Sequence, residues 1–115
     1  MKYTIYHNPR CTKSREALSL LNENKLEVEI LEYLKDTPTK EELKKVLAKL
    51  NMKPEEILRK GEKLYKENYK GLQFSDEEWI QVLVDNPILI ERPIVVKGNK
   101  AVVGRPLEKV EDLIG

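Results

Sequence analysis

The chain has 115 residues, enough for one domain with a single apolar core and too few for a second. Hydrophobic residues make up 40% and charged residues 36%, a soluble balance with a densely charged surface. A formal net charge of +1 supplies no global field toward nucleic acid or anionic membrane, so any anion site must come from local placement of Arg and Lys.

The N-terminal stretch from Met1 to His7 lacks the apolar run of a secretory signal, and no segment is long and apolar enough to span a bilayer. A cytoplasmic protein with no membrane and no nucleic-acid partner is expected. The one cysteine cannot form an internal disulfide, and alone it excludes a thiolate-rich zinc site, so no metal is expected. Any redox chemistry must borrow a second sulfur from another molecule.

Tyr3 to Tyr6 alternates and suits a short strand. Asn8-Pro9-Arg10 breaks the pattern. From Thr12 a helical period places Ala17, Leu18 and Leu21 on one face, with Asn24 as the stop. Leu26, Val28 and Ile30 alternate with Glu27 and Glu29 as a second strand, which completes a parallel βαβ unit. Thr39 and Glu42 have capping-box spacing ahead of Leu43, Val46, Leu47 and Leu50, and Ser75 and Glu78 repeat it ahead of Trp79, Ile80, Val82 and Leu83. Between them Pro54 opens another helix carrying Ile57 and Leu58. Ile94-Val95-Val96 and Ala101-Val102-Val103 flank Lys97-Gly98-Asn99-Lys100 as a hairpin, and Pro106 starts a last helix with Leu107, Val110 and Leu113 inward. The expected fold is a single α/β domain over 1–115, a small mixed βαβ…ββα sheet with a helical insertion at about 37–86.

Cys11 falls where the first strand hands over to the first helix. There the unpaired N–H groups and the positive end of the helix dipole favour a thiolate. Arg10, Lys13 and Arg15 add positive charge, and His7 belongs to the same loop. The N–H groups of Thr12, Lys13 and Ser14 would also face an oxyanion above the sulfur, although taken alone Thr12 and Ser14 read first as plain helix-cap residues. Arg92 and Arg105 each precede a proline in loops, and with Arg59 they could supply guanidinium groups, whose paired hydrogen bonds suit tetrahedral anions. Tyr65, Tyr69 and Trp79 read as packing residues.

The segment His7-Asn8-Pro9-Arg10-Cys11-Thr12-Lys13-Ser14-Arg15 resembles the active-site segment of the glutaredoxin-coupled arsenate reductases. Leu58-Arg59-Lys60, the run Asn86 to Val96 and Gly104-Arg105-Pro106 agree with the same family in order. The resemblance implies a thioredoxin-like fold with a cis Pro93 beside the cysteine loop. It implies Cys11 as nucleophile, His7 as a neighbour that helps ionise it, and Arg59, Arg92 and Arg105 as oxyanion ligands. It further implies arsenate as substrate, arsenic resistance as the setting, glutathione as co-substrate, glutaredoxin as partner and no bound cofactor. We expect a monomer. Longer relatives carry a C-terminal extension beyond the position of Gly115, which bears on partner contact rather than on the matched residues. Two alternatives share the fold: a transcriptional regulator of the Spx group that binds RNA polymerase, and a glutathione-dependent thiol reductase with another substrate. Many such regulators carry a Cys-x-x-Cys, and here Ser14 stands at the second cysteine's place.

Overall fold

The computed structural model describes residues 2–115; Met1, the first residue of the N-terminal stretch read above, lies outside them. The elements run β1 (Tyr3–Tyr6), α1 (Thr12–Glu23), β2 (Val28–Leu31), α2 (Lys40–Leu50), α3 (Lys63–Asn68), α4 (Asp76–Asp85), β3 (Ile94–Lys97), β4 (Lys100–Val103) and α5 (Glu108–Ile114). Single 3₁₀ turns cover Pro54–Ile57 and Pro87–Leu89. The chain divides into two compact units, one made of residues up to Asp36 with Arg92–Gly115, the other Thr37–Glu91.

The first unit holds the whole sheet, in the order β2-β1-β3-β4. β1 pairs parallel with β2 and antiparallel with β3, so Ile5 lies between Ile30 and Val95. β4 returns antiparallel to β3 through Gly98 and Asn99, where Gly98 at φ 58 supplies the positive dihedral the tight turn needs. Tyr3, Ile5, Ala17, Leu21, Val95, Val110 and Leu113 form its buried core. That core joins the inward faces of β1 and β3 to α1 and α5, which fixes where each loop at the strand ends must emerge.

β2 forms as the strand its alternation predicts, parallel to β1. It is an edge strand, and the core reaches Leu26 and Val28 but leaves Ile30 49% exposed. Having a strand on one side only, β2 buries part of an apolar stripe that alternation alone would send inward whole.

In the second unit both capping boxes form as their spacing predicts. Thr39 Oγ1 accepts from the Glu42 N–H at 3.2 Å, and Ser75 Oγ accepts from the Glu78 N–H at 3.2 Å. Trp79 is buried, in edge contact with Tyr69 and tilted against Phe74 at 4.8 Å between ring centroids. Pro54 opens only a 3₁₀ turn rather than a full helix. The chain leaves it at Leu58 to pair with 89–91: Arg59 N–H donates to Leu89 O and Glu91 N–H donates to Ile57 O, each at 2.8 Å. Those ladder bonds replace the ones a longer helix would have made. Likewise α5 begins at Glu108 and not at Pro106, because the preceding turn closes through bonds from Lys109 N–H to Pro106 O and from Val110 N–H to Leu107 O.

Leu21→Ala should cost about 2–5 kcal/mol in denaturant unfolding, as truncation of a fully buried Leu does. Ile30→Ala should fall within about 0.5 kcal/mol of the parent, since its side chain stands half in water. Equal losses at the two positions would refute the edge-strand assignment.

Candidate active site

The turn between β1 and α1 is tied at almost every residue. His7 N–H extends the parallel pairing to Leu31 O at 2.8 Å, and the Cys11 N–H then closes back on Asn8 O at 3.0 Å. Asn8 Oδ1 accepts from the Arg10 N–H at 3.0 Å, and the Asn8 N–H donates to Ser14 Oγ at 3.0 Å. Arg15 donates to Pro9 O at 2.8 Å and to Thr12 Oγ1 at 3.2 Å. Asn8, Ser14 and Arg15 thus act on the loop that carries Cys11.

Cys11 is the N-cap of α1, with extended backbone (φ −94, ψ 122), and its side chain makes no capping bond. The first intrahelical bond runs from Arg15 N–H to Cys11 O at 3.0 Å, which leaves the Thr12, Lys13 and Ser14 N–H groups as the open first turn. The residue is buried, at 8% exposure, more enclosed than its loop position suggests. It is not sealed in hydrocarbon. Arg105 Nη2 lies 3.4 Å from Sγ.

Arg105 is aimed by backbone. Its Nε donates to Arg92 O at 2.6 Å, and the preceding Gly104 N–H donates to Pro93 O at 2.8 Å. Both Arg92–Pro93 and Arg105–Pro106 are cis, the second not foreseen from the sequence. A Cβ at Gly104 would sit 2.9 Å from Val110 Cγ2 and 3.0 Å from Pro93 Cγ, so only glycine lets the two proline loops approach this closely. The Arg92 Nε is buried without a hydrogen-bond partner among the described residues. A guanidinium N–H left so carries a substantial desolvation cost until an acceptor arrives.

His7 is buried at 6% exposure, and its Nδ1 lies 2.6 Å from Ser14 Oγ. Ser14 Oγ also accepts from the Asn8 N–H, so one hydroxyl holds both the imidazole and the loop backbone. Burial lowers the His7 pKa from 6.5; the Glu32 carboxylate opposes this and the Arg15 guanidinium adds to it. His7 therefore stands as a neutral ring in neutral solution, and the fixed cation within reach of Sγ is Arg105.

The remaining residues singled out in the sequence are placed as follows. Ser14 is fully buried, so beyond its backbone N–H it serves the loop and not the solvent side. Lys13 directs its ammonium to Glu16 at 4.0 Å, an exposed pair of little energetic weight. Arg59 belongs to the second unit, where its guanidinium is met by the carboxylates of Glu62 and, at 3.8 Å, Glu91. Among the described residues no three His, Cys, Asp or Glu side chains are grouped to hold a metal. Reading the sequence passed over Gly104, whose only signal was a glycine directly before Arg-Pro, and the acidic partners of Arg59.

Gly104→Ala should cost about 1–3 kcal/mol by overpacking and displace Arg105 from the sulfur. Stability should also fall with acid through His7. Its folded pKa lies below the unfolded 6.5, so the unfolded chain binds the extra proton. The contribution is whole above 6.5 and is lost as pH falls through the folded value. A His7→Gln variant should lose that part of the acid dependence of urea midpoints; an unchanged profile would contradict the neutral assignment.

Three comparisons place this geometry. Residues 6–113 match the ArsC family model. An arsenate reductase of Neisseria meningitidis is 41% identical over 112 residues, covering 96% of each chain. The Escherichia coli protein YfgD, described as uncharacterized, is 49% identical over 115 residues, covering 96% of this chain and 95% of its own. Among solved structures, an arsenate reductase from Vibrio cholerae superposes with a TM-score of 0.92 at 41% identity, over 97% of each chain. The four-strand mixed sheet with its helices is the thioredoxin-like α/β fold the sequence implied. From strand order to cysteine loop, the chain belongs to the ArsC family.

Proposed function

We propose that this protein is an arsenate reductase with Cys11 as its nucleophile. The observation that carries the reading is the position of Sγ, at the open start of α1 with a guanidinium nitrogen 3.4 Å away. Arsenate docks against the Thr12, Lys13 and Ser14 N–H groups and against Arg105 and Arg92, whose unpartnered Nε supports a ligand that accepts hydrogen bonds. The family resemblance adds Arg59. Bringing an oxyanion to a thiolate is the main barrier, and preorganised positive charge lowers it.

The thiolate forms a bond to arsenic, and one arsenate oxygen leaves as water after taking up protons. Glutathione thiolate then attacks Sγ, the S–As bond breaks, and its electron pair stays on arsenic as arsenite departs. Cys11 and glutathione are left as a mixed disulfide, so two sulfurs have each given one electron. Glutaredoxin, charged by further glutathione, attacks that disulfide and restores Cys11. His7, held neutral by burial, orients the loop and is positioned to exchange protons with water there. On this reading no cofactor is bound, and the enzyme works as a cytoplasmic monomer. With one cysteine in the chain and Ser14 at the third position beyond it, an internal redox switch has no second sulfur, which favours the enzyme over a regulator.

Cys11→Ser should abolish arsenite formation in an assay containing glutathione and glutaredoxin, with the far-UV spectrum unchanged. Arg105→Ala should lower kcat/KM for arsenate by about 100-fold, the usual loss for one preorganised charge donor. Turnover retained by Cys11→Ser would overturn the proposal.

A further inference from the structure

Of the three arginines expected to meet the oxyanion, Arg59 is the one in the second unit, and it is already paired with carboxylates. Its Nη1 donates to Glu62 Oε1, and its Nε lies 3.8 Å from Glu91 Oε1. Glu62 takes the end of the guanidinium fork and Glu91 its side, so neither edge offers an incoming anion a pair of donors. The three side chains are between 21% and 28% exposed, and water screens these contacts only in part. The backbone builds the group. The bridge of Leu58 with Ile90 has Arg59 and Glu91 as its immediate neighbours, and a turn closed by the Glu62 N–H on Arg59 O at 3.1 Å returns Glu62 to the guanidinium. Glu62 is the N-cap residue of α3, yet its side chain makes no capping bond and goes to Arg59 instead. Nearby ammonium groups do not draw it away: Lys60 meets Glu55 at 3.8 Å and Lys63 meets Glu67 at 3.7 Å.

We infer that Glu62 is a specificity-determining residue: its carboxylate holds Arg59, and an oxyanion must take the guanidinium from it. The inference rests on the reading of Arg59 as an oxyanion ligand. A carboxylate and a tetrahedral oxyanion present the same spacing of oxygens to a guanidinium, so they compete for one set of donors. An anion with a single charge and no paired oxygens, such as chloride, gains too little there to dislodge a carboxylate. Hydrogen arsenate, with two charges and several acceptor oxygens, gains more. Discrimination therefore comes from a built-in competitor, and affinity for the correct anion is lowered by the work of parting Arg59 from Glu62. Glu91, on the side of the fork, keeps the arginine in place while the end of the fork changes partners.

The binding arm of the test does not depend on catalysis. Inorganic phosphate is titrated into ¹⁵N-labelled parent and Glu62→Gln protein, and the arginine Nε–H signals are followed. Glu62→Gln should tighten phosphate about fivefold, the effect of removing one partly screened competitor. Chloride should compete with phosphate more strongly in that variant than in the parent. In an Arg59→Ala background the same substitution should tighten phosphate by less than about twofold, because the competitor then has nothing to hold. The kinetic arm measures KM for arsenate, which should fall in Glu62→Gln so that kcat/KM rises; a residue that only positioned Arg59 would raise it. Phosphate binding that is unchanged or weaker in Glu62→Gln, or tightened equally with and without Arg59, would overturn the inference. If the parent reduces no arsenate at all, the functional reading fails while the phosphate affinities still decide the role of Glu62.

Discussion

One contact governs the rest: a cysteine sulfur and an arginine nitrogen 3.4 Å apart, delivered by opposite ends of the sequence. A negative sulfur repels any incoming oxyanion, and about 4 Å between unit charges is worth about 1 kcal/mol in water and several times that where solvent is partly excluded. The guanidinium meets both needs. It stands beside the sulfur, and its remaining N–H groups stay available to an anion. On the proposed reading, that neighbour and the open first turn of α1 are what set Cys11 apart from an ordinary buried thiol.

Much of the first unit serves to place that pair. Register across β1, β3 and β4 sets where the loops at the strand ends emerge, and Gly104 permits the close approach that carries Arg105 in. Arg105 is held by the carbonyl of Arg92, so the two arginines before the two prolines are mechanically joined. On the other side, the Ser14 hydroxyl ties His7 and Asn8 together from within the protein. Cys11 is therefore gripped from both flanks. A rigid loop of this kind gives up little entropy when substrate arrives.

The strands, helices and capping boxes were legible because each is written in local spacing. Thr39 with Glu42 and Ser75 with Glu78 form the bonds their separation promises. Spacing does not say which strand lies at an edge, nor therefore that Ile30 in β2 stands half in water. Nor could it say that Leu58 would abandon helix for a bridge with Ile90, since the competing partner lies far along the chain. The site divides in the same way. Cys11 at a strand-to-helix junction was visible, as was the positive charge of Arg10, Lys13 and Arg15 around it. Arg105 stood out by its place before a proline, but its contact with the sulfur spans 94 residues and no local spacing carries it. The role of Ser14 was hidden, because a buried hydroxyl that anchors a loop and an exposed one that caps a helix look alike in sequence.

The central claim is that Cys11 Sγ receives an oxyanion under guanidinium control, and anomalous diffraction at the arsenic edge from crystals soaked in arsenate tests it most directly. The account predicts one arsenic peak at bonding distance from Sγ, with its oxygens hydrogen-bonded to Arg105 and Arg92. Arsenic bound elsewhere, or bonded to the sulfur with both guanidinium groups turned away, would contradict it.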